Sequence, residues 1–199
     1  MSKKKKPSAA VPALSDQAVI KACFDMIAEK GLGKTRLSAL AAQFNVPMRV
    51  FYAAYPSVEA ILVKFVDQID QAMLAQLSPA DSDSKRELYF DMMMARCDAM
   101  QLHREGVKRW LSELPKQPTL WSGTLKRWEQ SLSLMLDMAK DSPLFPVKKI
   151  GLAAIYAATL KAWFNDESAD MAKTMAALDG ALGHGETIIQ RFMTKKKVA

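Results

Sequence analysis

Residues 35–55, TRLSALAAQFNVPMRVFYAAY, read as two short helices about a tight turn. Leu37, Leu40, Ala41 and Phe44 recur at i, i+3, i+4 and i+7, which puts them on one helical face. Thr35 precedes that face and is the expected N-cap. Asn45-Val46-Pro47 then breaks the pattern. Asn tolerates the left-handed backbone that a tight turn needs, and Pro suits the first turn of a helix. A further short helix is expected from about Pro47 to Ala54. Upstream, Val19, Ile20, Cys23, Phe24 and Ile27 form one face of a helix that starts near Asp16, with Ser15 or Asp16 as cap, and ends at Gly31 and Gly33. A packing helix followed by two short helices across a tight turn is a helix-turn-helix unit, whose last helix can enter a major groove.

Beyond this unit the chain stays helical. Pro56 and Ser57 start a long helix that reaches about Leu77, and Ser78–Ser84 is a polar break. Ser84-Lys85-Arg86-Glu87 is a capping-box pattern. Further helices are expected near 85–101, 103–114, 120–140, 146–165 and 168–193, with Pro115, Pro118, Pro143 and Pro146 at the joints. No stretch alternates convincingly with period two, so the expected fold class is all-α.

Composition narrows the function. Of 199 residues, 50% are hydrophobic and 25% charged, a globular balance. The two cysteines, Cys23 and Cys97, sit in apolar helical patterns, which implies a reducing compartment and core packing. The N-terminal lysines are not followed by an apolar run, so no secretory signal is expected. The apolar run from Ile150 to Leu160 is too short to span a bilayer, which takes about 20 residues. The expectation is a cytoplasmic chain with no integral membrane segment.

The net charge of +7 is uneven. Lys3, Lys4, Lys5 and Lys6 lie at one end and Lys195, Lys196 and Lys197 at the other; without them, 21 basic residues face 21 acidic ones. Lysine-rich ends are either solvated, disordered tails or arms that touch phosphates or an anionic membrane. His103 and His184 have no Cys or His partners at metal spacing. Gly31-Leu32-Gly33-Lys34-Thr35 is too short for a phosphate loop, and no strand precedes it. Catalytic residues, metals and cofactors are therefore not expected.

Ala28-Glu29-Lys30-Gly31, Thr35, Leu40-Ala41, Val46, Phe51-Tyr52, Tyr55-Pro56-Ser57 and Glu59-Ala60 follow, in order and spacing, the DNA-binding domain of TetR-family regulators, which residues 18–62 resemble. The resemblance implies an all-α, TetR-like fold, with an N-terminal three-helix helix-turn-helix module and a larger helical ligand-binding and dimerisation domain. It divides the chain into a flexible basic arm at 1–14, a DNA-binding domain at 15–62, a ligand-binding and dimerisation domain at 63–194 and a basic tail at 195–199, with the boundary inside the fourth helix. It implies that Met48 and Arg49 lie near base edges, Tyr52 on a phosphate, and Thr35, Arg36 and Ser38 along the DNA backbone. Pro47 joins these as a DNA-binding candidate, and Lys3–Lys6 are read as an arm reaching an adjacent groove or phosphate. Ser38 stands where the family often has a basic residue, Ala54 replaces an aromatic, Val58 replaces a lysine and Asn45 replaces a glycine. Implied partners are double-stranded DNA, a small hydrophobic ligand and a second copy of the chain, paired through the last two long helices.

The second half is rich in methionine and tryptophan. Such side chains either fill a core or line an adaptable apolar pocket between helices. The pocket candidates are Met93, Met100, Trp110, Trp121, Trp128, Met135, Tyr156 and Trp163. Residues 150–164 are apolar or small nearly all round, as suits a helix covered on several sides. His103-Arg104-Glu105-Gly106-Val107, Tyr156-Ala157-Ala158-Thr159-Leu160, Trp163, Asp166, Ser168, Thr174 and Leu178-Asp179 are similar to the lipid-binding proteins of ubiquinone biosynthesis, which share the TetR architecture. That second resemblance implies an alternative, a lipid- or isoprenoid-binding accessory protein that does not bind DNA.

Overall fold

The computed structural model describes residues 14–77, 84–141 and 146–198, with the backbone alone at 119–122, 146–147 and 188–198. Among the described residues the chain is all-α, with no strand. Its helices are α1 (Asp16–Lys30), α2 (Leu37–Gln43), α3 (Met48–Ala54), α4 (Val58–Gln76), α5 (Lys85–Met100), α6 (Arg104–Glu113), α7 (Pro118–Met138), α8 (Pro146–Trp163) and α9 (Ala172–Val198). Short 3-10 turns at Leu32–Lys34, Gln101–His103 and Leu114–Lys116 join α1 to α2, α5 to α6 and α6 to α7. The Lys3–Lys6 arm lies outside the described residues.

The local signals act largely as their chemistry dictates. Asn45 takes a φ of 52° at the turn between α2 and α3. Ser57 Oγ accepts from Ala60 N–H at 3.0 Å and Ser84 Oγ from Glu87 N–H at 3.2 Å, so both serines cap helices. Thr35 departs from its expected role. Its hydroxyl turns back and donates to Gly31 O at 3.0 Å, and α2 starts two residues later behind Arg36, with no side-chain cap. Asp16 does not cap α1 either; its carboxylate accepts from Tyr55 Oη and, at 2.9 Å, from Lys64 Nζ, tying α1 to the end of α3 and to α4. The last helix begins at Ala172, later than the periodicity predicts, and its helical backbone continues through Lys195–Lys197.

One hydrophobic cluster runs through both parts of the molecule. Val19, Ile20, Cys23, Phe24 and Ile27 of α1 meet Leu40, Phe51 and Ile61, and α4 carries that core on through Phe65, Ile69 and Met73 into the larger bundle. Both cysteines are buried with free thiols, and burial pushes each up to about 12. The seam between the two parts is tight where α1 crosses α6. A Cβ on Gly106 would lie 2.5 Å from Phe24 O, so only glycine allows this approach.

The corner between α8 and α9 is held by one carboxylate. Asp166 is buried, accepts from the backbone and hydroxyl of Ser168, and accepts from Thr174 N–H and Thr174 Oγ1 at 2.7 Å each. The Ser168 and Thr174 donors hold its carboxyl well below the usual carboxylate range. This explains the late start of α9, because residues 166–171 are used in the corner. A depressed folded-state pKa stabilises the fold above the unfolded value, and that contribution disappears as pH falls through the folded value. Asp166→Asn should therefore lower the melting temperature at pH 7. The gap to the parent protein should persist down to about pH 4 and close only in stronger acid; a gap of constant size across a pH series of melts would contradict this.

Candidate functional site

Two surfaces carry chemistry, the outer face of α3 and a cavity among α6, α7 and α8. On α3, Phe51 points inward, stacking on Phe44 at a centroid distance of 6.4 Å and meeting Tyr55 at 5.2 Å. The helical period then turns Met48, Arg49 and Tyr52 outward together. Met48 is 41% and Tyr52 56% exposed, and Arg49 is exposed with no hydrogen bond or ion pair among the described residues. Pro47 and Ser38 are exposed beside them. Arg36 is exposed but partly occupied, since its Nη1 donates to Gly33 O at 2.7 Å and to Thr35 O at 3.2 Å. Thr35 is buried and its hydroxyl is taken, so as a surface contact it is corrected to a residue that shapes the turn. Of the departures from the family pattern, Ala54 is exposed, whereas Val58 is half-buried against the core.

The cavity has a volume of about 630 Å³. Three helical stripes build it: Lys108, Leu111, Ser112 and Pro115 from α6 and the turn after it; Thr124, Trp128, Ser131, Leu132 and Met135 from α7; and Ala153, Tyr156, Ala157, Leu160, Lys161 and Phe164 from α8 onward. Each follows the three-and-four spacing of one helix face. Of the predicted pocket residues, Trp128, Met135 and Tyr156 line it. Met93, Met100, Trp110 and Trp163 are instead buried core residues that do not contribute to the lining. The side chain of Trp121 lies outside what the structure describes. Trp163 is anchored by Nε1, which donates to Gln101 Oε1 at 2.8 Å. The sequence reading favoured the bulkiest side chains and passed over the leucines, the lysines and Thr124. The recoverable signal was the stripe spacing on α7 and α8. Thr124 is only 2% exposed, and its Oγ1 has no hydrogen-bond partner among the described residues.

Beneath the cavity lies a buried charge network. Asp70 of α4 accepts from Arg96 of α5, from Arg127 of α7 and, at 2.7 Å, from Ser131 Oγ. Arg96 Nε also donates to Tyr156 Oη at 3.2 Å, and Arg127 Nε donates to Asp67 Oδ1 at 2.6 Å. Arg96, Ser131 and Tyr156 belong to the cavity lining. The opposite face of α6 grips the helix-turn-helix unit. Glu113 Oε2 accepts from Leu32 N–H at 2.8 Å, and Arg109 donates to Glu113 Oε1 at 2.9 Å and to Ala28 O at 2.8 Å. The Arg109 hydrogen bond holds the Glu113 carboxyl below its ordinary range. The neighbouring Gly31 has a φ of 89°, and a Cβ there would lie 2.9 Å from Glu113 Oε1. Among the described residues, no group of three or more His, Cys, Asp or Glu side chains could hold a metal ion. No described helix is long and apolar enough to cross a membrane.

A three-helix head on a larger bundle with a cavity between its helices is the TetR-type architecture, and solved structures of that type align along most of the chain. The TetR transcriptional regulator from Nitrosomonas europaea ATCC 19718 aligns with a TM-score of 0.68 at 18% identity, over 86% of this chain and 97% of its own. A TetR transcriptional regulator from Rhodococcus sp. RHA1 gives 0.58 at 13% identity, over 85% and 94%. The multidrug binding protein EbrR, solved in complex with imidazole, gives 0.53 at 14% identity, over 83% and 88%. At these identities the likeness is one of fold. Residues 132–188 match the model of the family described as COQ9, a segment that includes the α8 wall of the cavity and the Asp166 corner. No curated protein sequence gives a significant match to the chain.

Removing one member of a buried ion pair strands its partner, which typically costs about 3–5 kcal/mol. Asp70→Ala should therefore destabilise the protein by roughly that amount in urea unfolding. A loss under about 1 kcal/mol would mean that Arg96 and Arg127 do not depend on Asp70 for compensation.

Proposed function

We propose that the chain is a homodimeric, ligand-responsive DNA-binding regulator of TetR type. The observation that carries this reading is the presentation of α3. Phe51 and Tyr55 lock the helix into the core while Met48, Arg49 and Tyr52 stand outward and exposed. Such a helix suits a major groove, with Arg49 as the base-reading or phosphate contact and Tyr52 as a phosphate contact. The helix that supplies the Lys108–Ser112 lining also carries, on its other face, the Arg109–Glu113 grip on the head, so occupancy of the cavity can favour one head orientation over another. Pairing through α8 and α9 is supported by their exposed small residues, among them Gly151, Ala154, Ala158, Ala176, Ala177 and Gly180, which permit close helix approach. Two heads carried this way would address half-sites about one helical turn of DNA apart.

The COQ9 match favours a second reading: a lipid- or isoprenoid-binding accessory protein that retains the fold without an operator. Both readings place a hydrophobic ligand in the α6–α8 cavity and differ in what α3 does.

Electrophoretic shift with DNA from upstream of the chain's own gene, run across a salt series, separates them. The regulator reading expects a specific complex, with Arg49→Ala weakening it by about 1–3 kcal/mol and salt weakening it steeply. Absence of any specific complex at low salt, with an isoprenoid or other lipid in the organic extract of the purified protein, would replace that reading with the accessory one.

A further inference from the structure

We infer that the α6–α8 cavity takes an amphiphile with an anionic head group, a single apolar chain ending in a carboxylate or a phosphate, with its head between Lys108 and Lys161. The inference rests on the proposed use of this cavity as the ligand site and goes further by naming the head-group charge. Its first support is the balance of charge around the cavity. Three cations line it, Arg96, Lys108 and Lys161, and no aspartate or glutamate does among the described residues. Arg96 is neutralised in place by Asp70. Lys108 and Lys161 form no ion pair among the described residues. Glu105, one turn before Lys108 on α6, does not join it, and among the described residues the one hydrogen bond of the Lys108 ammonium runs to the Phe164 carbonyl at 3.3 Å. An ammonium has three donors, so Lys108 keeps two free.

The placement of the two lysines gives the second support. They come from different helices, α6 and the last turn of α8, yet line one cavity, and both are exposed. Much of the remaining wall is apolar, with Leu111, Leu114, Leu132, Met135 and Leu160 among its residues. A chain can lie along these side chains while its head stays hydrated beside the two ammonium groups. A cationic head would meet uncompensated like charge there. A neutral head would leave the lysines solvated and gain nothing from them. Because the lysines are exposed, solvent screens each contact, so the expected preference is modest, roughly fivefold to tenfold for the pair.

Tryptophan fluorescence titrations at pH 8 with dodecanoate, dodecyl phosphate and dodecan-1-ol, each below its aggregation limit, test this. Both anions should bind about fivefold or more tightly than the alcohol, and whichever is tighter identifies a carboxylate or a phosphate source. The double variant Lys108→Met/Lys161→Met should bring the anions to the level of the alcohol and leave the alcohol unchanged. Lys108→Arg/Lys161→Arg, which keeps both charges, should retain the preference, and melting curves would establish that both variants fold. Equal binding of all three probes, or an anion preference that survives in the methionine variant, overturns the head-group assignment and leaves the cavity as a ligand site. Failure of all three to bind the parent protein removes the cavity reading and this one together.

Discussion

Asp70 is the constraint around which the larger bundle is arranged. A carboxylate at 3% exposure is tolerated only when its charge is met by donors of good geometry, because desolvation alone costs several kcal/mol. Those donors come from α5 and α7, and Arg96 reaches on to Tyr156 of α8. Four helices are thereby pinned at one level. This fixed spacing is what allows a cavity to persist beside it. Apolar side chains alone would gain by closing the gap, whereas a satisfied ionic network resists the rearrangement that closure would require.

The fold was open to reading from the sequence because its signals are local. Asn45 in the left-handed region and the serine caps at Ser57 and Ser84 act through their own neighbours and need no tertiary context. The inward faces of α1 and α2 follow the helical period for the same reason. Thr35 misled because a threonine before a helix has two partners within reach. The Gly31 carbonyl, which also accepts from Lys34 N–H at 3.2 Å, took the hydroxyl that the α2 backbone was expected to use. The cavity was only partly legible. Size and flexibility do not distinguish Trp128, which lines it, from Trp110, which packs edge-on against it at 6.2 Å from within the core. The Asp70 network joins residues 26 and 57 positions apart, and no periodicity announces such partners. Asp166, Ser168 and Thr174 stand out through resemblance alone, and the structure brings them together at the α8–α9 corner.

The head and the cavity are joined by more than the length of α4. Phe24 of α1 meets Trp110 of α6 at 5.8 Å, Trp110 meets Trp128 of α7 at 6.2 Å, and Trp128 meets Tyr156 of α8 at 6.1 Å. The first of these rings belongs to the head and the last two line the cavity. Dense packing transmits displacement because it leaves no slack. At Gly106 the contact between α1 and α6 is close enough that movement of either helix must be shared by the other. The Glu113 grip on Leu32 N–H adds a directional contact at the turn that leads into α2. An occupant that displaced Trp128 or α6 would therefore act on the head through contacts already at van der Waals distance.

The electrostatics of the head give the two functional readings different physical requirements. DNA affinity depends on cations free to neutralise phosphates. Residues 15–62 hold five basic side chains against four acidic ones, and part of this small surplus is already committed. Lys21 is paired with Asp25, and Arg36 donates to backbone carbonyls. Beyond that segment, Lys64 sits between Asp16 and the face of the Tyr55 ring, 4.8 Å from its centroid. Arg49 is the uncommitted cation on the outward face of α3. In the regulator reading Lys3–Lys6 would add to that phosphate attraction, so affinity and salt dependence would fall when those lysines are removed. An accessory protein would not need the arm for binding its ligand at all, since the cavity lysines belong to α6 and α8. Removing the arm's charge would thus weaken DNA recognition while leaving the cavity's own ligand contacts in place.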